Sequence, residues 1–433
     1  MTTVSRATQP TPDAEPSMPP LRHNRPYLLL MSGRTAQLVG AGVGAFAVPL
    51  LAFEVTGSVA RAGLVAGIGQ VGALLAALPA GVVADRVDRR RLILGAAVAG
   101  ALLWASVAVA GAAGRLTGAH LAAVLFGSAL VTALEGPAES GAIRAVVDGE
   151  QLPRALAAVQ GRGAVATLAS GPLGGLLYGL AHALPVAASA VAHLAVVVCT
   201  WFVRVPLGDD AAARGTRGED GPGTGPVAAL REGLRFVWSR RLFRVALVVF
   251  PIINLAVNGV LVAVNLDLIR QGVAPVRIAL IDTAAGAAML AGAAVAGRVL
   301  DRVRAGALML ATLGWIALCF IAMAALHTYL AFLLLTAAAV LPLAPSNAGI
   351  QGYVTAITPQ RLQGRLASVL GLSFLLTAPL TPALAGALLA AVGLRPTLWA
   401  FAGLLVVAVG ALAFARSLRA IGTPDTWHTA VEQ

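Results

Sequence analysis

The sequence predicts an all-α integral membrane protein with twelve transmembrane helices arranged as two six-helix bundles. Three observations carry that expectation. Of 433 residues, 58% are hydrophobic and only 12% charged, roughly half the charge of a soluble globular domain. Twelve apolar stretches each come near the ~20 residues that cross the hydrocarbon of a bilayer. Finally, Gly81-Val-Val-Ala-Asp85-Arg86-Val-Asp88-Arg89-Arg90-Arg91 returns 216 positions later as Gly297-Arg-Val-Leu-Asp301-Arg302, which implies two related halves.

Residues 1–25 are rich in Pro, Thr and Ala and lack an apolar signal core, so they read as a disordered cytoplasmic tail. Spans at about 27–52, 62–84, 92–113, 119–140, 155–180 and 184–203 then build an N-terminal bundle over 26–204. Residues 205–242 form a cytoplasmic linker, with Gly208-Asp209-Asp210 and Gly221-Pro-Gly-Thr-Gly-Pro226 followed by an amphipathic surface helix from Val227 to Arg241. Spans at about 243–266, 277–299, 305–326, 328–352, 363–390 and 393–416 build a C-terminal bundle over 243–416, and 417–433 form a second cytoplasmic tail. Another landmark supports the duplication: Val147-Asp-Gly-Glu-Gln-Leu152-Pro-Arg-Ala-Leu156-Ala157 aligns at an offset of 210 with Ile357-Thr-Pro-Gln-Arg-Leu362-Gln-Gly-Arg-Leu366-Ala367. Repeats of this kind place a binding site between the halves, near the bilayer midplane.

The net charge of +12 comes from arginine alone, since the chain has no lysine. These arginines lie in short loops between apolar spans, which argues for a positive-inside membrane protein and against a nucleic-acid partner. With the N-terminus inside, 24 arginines fall in cytoplasmic segments, two (Arg34 and Arg162) within spans, and five (Arg61, Arg115, Arg270, Arg277 and Arg395) on the outer side. An even number of spans then puts both termini in the cytoplasm. Lysine-free, alanine- and arginine-rich usage is associated with GC-rich bacterial genomes, so the expected membrane is a bacterial plasma membrane. Without lysine there is no Walker phosphate loop and no Schiff-base chemistry. Cys199 and Cys319 fall inside spans and imply neither a disulfide framework nor a metal site. His182 and His193 stand apart from Cys or carboxylate ligands, and no nucleophile–base pair is evident, so neither an enzyme nor a cofactor is expected.

Charges within the spans are costly unless paired or hydrated. Arg34 in span 1, Arg162 in span 5, and Glu135 and Glu139 one turn apart in span 4 come out at similar depth. They read either as a proton-coupling cluster or as a permanent Arg–Glu network. Asp282 in span 8 is a further proton-carrier candidate, or else a paired acid near the outer edge. Asn254, Asn258 and Asn265 share one stripe of span 7, within about 40° of one another, and either line a cavity or bond neighbouring helices. Gln37 and Gln70 are lone amides with the same two readings. Pro49, Pro79, Pro137, Pro172, Pro251, Pro342, Pro345, Pro379 and Pro382 mark possible bends within spans.

The Gly81 loop, with its small residue for close helix approach and a carboxylate able to reach a helix end, resembles the loop between the second and third helices of the major facilitator superfamily of secondary transporters. Gly171-Pro172-Leu-Gly174-Gly175 resembles that superfamily's antiporter motif, one residue short and with Thr167 where a further glycine is usual. Gly33-Arg34-Thr35-Ala-Gln-Leu-Val-Gly40, Pro49-Leu-Leu-Ala-Phe-Glu-Val-Thr56-Gly57-Ser58, Gly136-Pro137-Ala138 and Gly233-Leu-Arg-Phe236 look like its enterobactin-exporter-like, or transmembrane secretion effector, branch. The likeness runs from about residue 25 to 416. It implies alternating access and export of a small molecule such as a drug, siderophore or other secondary metabolite, coupled to a proton or another ion. It also implies a gating role for Gly81, Asp85, Arg86 and Arg90, with Gly297, Asp301 and Arg302 as the second copy. Many proton-coupled drug exporters carry an arginine in mid-span 4, but residues 119–134 contain none, leaving Glu135 and Glu139 as substitutes. Uptake by symport and a non-transporting receptor on the same fold remain the alternatives; cargo, stoichiometry and oligomeric state are not readable.

Overall fold

The computed structural model describes residues 20–77, 79–207, 234–238, 241–415 and 421–427. Most of the expected tails and linker lie outside the described residues, although 234–238 of the expected amphipathic helix are helical. The side chain of Asp85 also lies outside them.

Among the described residues, twelve helices are long and apolar enough to cross a membrane. They are α1 (Arg25–Thr56), α2 (Val59–Ala76), α3 (Arg89–Ala112), α4 (Gly118–Val146), α5 (Leu152–Leu180) and α6 (Leu184–Phe202) in the first half. The second half has α7 (Phe243–Arg270), α8 (Pro275–Leu300), α9 (Ala305–Leu326), α10 (Tyr329–Ile357), α11 (Leu362–Val392) and α12 (Leu394–Phe414). Large apolar side chains such as Leu102, Val191, Leu318 and Val407 are exposed around the perimeter, as a lipid-facing surface requires and a soluble one would not tolerate.

Local chemistry sets the helix starts. Asn24, Ser58, Asp88, Thr117 and Thr328 each accept a backbone N–H of the first turn, satisfying donors that helix starts leave unpaired. At the end of α1, Gly57 has φ +62°, a left-handed cap that favours glycine. Several prolines act as expected: α2 gives way to a short helix, Pro79–Arg86, while α10 is interrupted at 341–342, ahead of Leu343, and α11 at 378–379, ahead of Leu380. Each break coincides with Pro79, Pro342 or Pro379, which cannot donate to the helical ladder. Helices continue through Pro49, Pro137, Pro172 and Pro251.

Packing repeats between the halves. In the first half, α1 packs on α5 and α6, α2 on α4, and α3 on α4 and α6. In the second, α7 packs on α11 and α12, α8 on α10, and α9 on α10 and α12. Every pair maps onto its counterpart six helices on, as gene duplication would leave it. Between halves the main contacts are α2 with α11 and α5 with α8, and the same six-helix shift exchanges these two seams.

An even number of helices returns the chain to the face where α1 starts, called here the terminal face; the other is the far face. Contact between halves concentrates at the far face. A Cβ on Gly63 would collide with the carbonyl of Pro382, one on Gly67 would lie 2.7 Å from that of Pro379, and one on Gly386 2.5 Å from that of Val59. Only glycine permits backbones this close. On α5, Gly171 and Gly175 touch α8, whereas a Cβ on Gly161 or Gly163, nearer the terminal face, would meet nothing within 4 Å. Most of α8 from 287 to 298 is likewise exposed. The halves are therefore sealed at the far face and diverge toward the terminal one.

Candidate functional site

Where the halves separate they enclose a cavity of about 820 Å³, within the ~300–1,000 Å³ range of small-molecule sites. Its wall is largely apolar: Phe46 of α1, Trp104 of α3, Leu125 of α4 and Met289 of α8 face it. Polar groups converge from Gln70 on α2, Thr167 and Ser170 on α5, Asn265 on α7 and Asp282 on α8. The carbonyl oxygen of the Asn265 side chain is buried without a protein partner among the described residues. Asn258 shares the face of Asn265 by helical periodicity; it is exposed, and its amide donates to the Asn254 carbonyl at 3.0 Å. Of the expected stripe, then, Asn265 reaches the closed part of the cavity, and the other two are a few turns nearer the terminal face.

A separate polar network ties α1 to α4. Arg34 Nη1 donates to Gln37 Oε1 at 2.9 Å, and Gln37 Nε2 donates to Glu135 Oε2 at 2.6 Å. Arg34 Nε also pairs with Glu139 Oε2 at 3.0 Å. Gln37 and Glu135 are buried, and one oxygen of each carboxylate is buried with no partner among the described residues. Because α4 continues to Val146, Glu135 sits eleven residues, about 16 Å, from the terminal end of its helix. That is deeper than the expected span, 119–140, would place it.

Two placements sort the candidates. Gln37, open to either a cavity wall or a bond between helices, is the bridge inside this network, three residues from Arg34 on the side of α1 that meets α4. Arg162 does not join the network. It faces a distinct cleft of about 690 Å³ with Arg25, Ser32 and Thr35, on the opposite side of α1 from Arg34 and Gln37 at 100° per residue. Its Nη1 is buried without a partner among the described residues.

The loop glycines differ from expectation. A Cβ on Gly81 or Gly297 would meet nothing within 4 Å, so neither marks a close helix approach here, because both lie on the terminal side where the halves stand apart. Arg90 donates to the Trp201 carbonyl at 2.9 Å, tying α3 to the end of α6. Arg86, Asp301 and Arg302 are exposed at the terminal face. The antiporter-like motif, by contrast, is a packing seam. A Cβ on Gly174 would lie 2.9 Å from Phe46 of α1, and one on Gly175 2.9 Å from Ala279 of α8. Gly171 approaches Asp282 and Thr283, bringing α5 against the cavity acid.

Sequence reasoning missed the far-face clusters. Glu54 accepts from the Tyr178 hydroxyl at 2.9 Å and lies 3.0 Å from His182 Nδ1, with the two rings stacked at 4.6 Å. Asp267, at the matching end of α7, is buried and held by Arg270 and Gln271. An acid followed by Arg at i+3 and Gln at i+4 was the available signal. Trp104 and Phe46 gave none, being aromatic residues in apolar runs.

Comparison with known proteins agrees with this architecture. The family model described as Major Facilitator Superfamily matches residues 30–268 and again 252–430. A solved bacterial homologue of the iron transporter ferroportin, in an inward-facing state, is 14% identical at a TM-score of 0.69, covering 91% of this chain and 99% of that one. The nucleoside transporter NupG is 13% identical at 0.70, covering 92% and 99%. A bacterial homologue of the human lysosomal transporter Spinster, inward-facing and occupied, is 16% identical at 0.66, covering 94% and 100%. At such identities the likeness is one of fold. No curated protein matches the sequence.

Proposed function

The chain belongs to the Major Facilitator Superfamily, and from that premise we propose that it is a proton-coupled exporter of a small, largely apolar or amphipathic molecule. It is a multi-pass membrane transporter and not an enzyme. Direction, coupling and the membrane are our reading: a bacterial plasma membrane, both termini cytoplasmic, and the proton as driving ion. The observation that carries the coupling is Glu135, a buried carboxylate with one unpartnered oxygen, joined through Gln37 to Arg34. Such a group is expensive to keep charged in a membrane and is a functional site by default.

The mechanism follows from the two seams. With the terminal face cytoplasmic, the cavity takes substrate from inside while α2·α11 and α5·α8 seal the outside. Rocking about the cavity would part the glycine seams and bring the loops of Gly81 and Gly297 together, giving those glycines the close approach that they lack in this state. The Asp85 and Asp301 loops then act as the inner gate, with Arg86, Arg90 and Arg302 beside them. Protonation of Glu135 from the outside, and its release inside, would drive the return.

Proteoliposomes with an imposed pH gradient test this. Glu135→Gln should abolish gradient-driven export while the protein still inserts; unchanged export would remove that carboxylate from the mechanism. Gradient-driven accumulation in the opposite direction would indicate symport, and absence of flux for every metabolite tried would favour a receptor.

A further inference from the structure

The charge of the central cavity carries information that its shape does not. The chain holds 31 basic and 19 acidic residues, yet among the described residues the cavity wall contains a single ionisable side chain, Asp282. Not one arginine faces it. Asp282 is exposed to the cavity, and no ion pair or hydrogen bond to its carboxylate occurs among the described residues. Gly171 of α5 approaches it, and the other polar groups of the wall are neutral: Thr167 and Ser170 of α5, Asn265 of α7, and Gln70 of α2, the counterpart of α8 in the other half.

Each substrate class meets this wall differently. An anion would enter an apolar chamber whose one fixed charge repels it. A neutral molecule would displace water from the carboxylate and leave the charge without a counter-ion, at the desolvation cost that makes intramembrane acids rare. A cation supplies the missing counter-ion. The side-chain oxygen of Asn265, a residue of the cavity wall, is buried without a partner among the described residues, and a positively charged or N–H-bearing group would satisfy it. Phe46 and Trp104 line the same wall, and aromatic rings attract cations and bury apolar substituents.

We propose that the cavity takes lipophilic organic cations, with Asp282 as their counter-ion, Asn265 as a second acceptor and Phe46 and Trp104 packing the apolar substituents. This rests on the transporter reading of the cavity and narrows its substrate to one charge class. It also gives Asp282 a role in binding, apart from the Arg34–Glu135 network, which does not line this cavity.

Two ions of the same shape and opposite charge make the test. Tetraphenylphosphonium and tetraphenylborate binding are measured by equilibrium dialysis on the purified full-length protein in detergent, at one pH and with no gradient. Wild type should bind the phosphonium saturably and at least about tenfold more tightly than the borate. Asp282→Asn should weaken phosphonium binding by about tenfold, and Asp282→Glu should restore most of it. Equal binding of the two ions, saturable binding of neither, or full phosphonium binding by Asp282→Asn overturns the proposal. The wild-type comparison decides even if the Asn variant fails to fold. Because no gradient is applied, failure of proton-driven flux leaves this result standing, and loss of cation preference leaves flux of other solutes to be judged separately.

Discussion

Replacing Gly63 with alanine tests whether the far-face seam is what holds this state. The change adds one methyl group on α2, directly against the carbonyl of Pro382 on α11. Neither partner is a flexible side chain that could move aside; the backbones themselves must part. Overpacking of this kind costs about 1–3 kcal/mol, charged only to the state in which α2 and α11 touch. A state open at the far face does not carry that cost, so the equilibrium should move toward it by about 5- to 150-fold. The structure supplies matched controls in Gly403 and Gly410 of α12, where an added Cβ meets nothing within 4 Å. With Cys199 and Cys319 replaced by serine, a reporter cysteine at Ala66 on the cavity wall can be labelled by a membrane-impermeant maleimide from either side. Gly63→Ala should raise labelling from the far side and lower it from the terminal side, while Gly403→Ala changes neither. Identical labelling of the two variants would refute the claim that close backbone contact at Gly63 sets the state.

Gln37→Leu should lower thermal stability in detergent by about 1–3 kcal/mol, the cost of leaving a buried polar group without its donor, because Glu135 then loses its bond to α1. Gln70→Leu, on the cavity wall, should not; equal unfolding midpoints would reduce the Gln37 bridge to a bystander. Tyr178→Phe removes the hydroxyl that donates to Glu54 and should cost about 0.5–1.5 kcal/mol. A double-mutant cycle with Glu54→Ala, which removes the acceptor, should show that the two losses are coupled, and zero coupling energy would exclude a bond between them.

The architecture was legible because lipid imposes it. Backbone groups in hydrocarbon must bond within their own segment, so apolar length alone marks the helices, and the duplicated loops mark the halves. Proline breaks were legible in part: Pro79, Pro342 and Pro379 interrupt their helices, whereas Pro137 and Pro172 do not. The presence of a proline alone does not separate the two groups. The site was less legible still. Arg34, Arg162, Glu135 and Glu139 share a depth, and depth follows from counting residues along each span. Which of them meet depends on the rotation of α5 against α1, and that rotation turns Arg162 to the other side. Glycine carried the opposite ambiguity: Gly81 and Gly175 look equivalent as small residues, but only Gly175 has a helix against it in this state.

The duplication has diverged in charge while conserving its packing, and this constrains how coupling could work. At the offset of the matched loops, Glu135 and Glu139 correspond to Pro345 and Gly349 of α10, so the second half has no copy of the acidic pair. Every bond of the Arg34–Gln37–Glu135–Glu139 network lies within α1 or between α1 and α4, inside the first half. A rigid rotation of one half against the other leaves such bonds intact. If Glu135 titrates during transport, the trigger is therefore a change in water access to its unpartnered oxygen, since among the described residues no bonding partner crosses the interface to be exchanged. Asp282 lies on the other half, against the α5·α8 seam that rotation must open, and its surroundings change directly with the cycle. Binding and coupling would thus communicate through the position of the halves and not through a continuous chain of polar contacts.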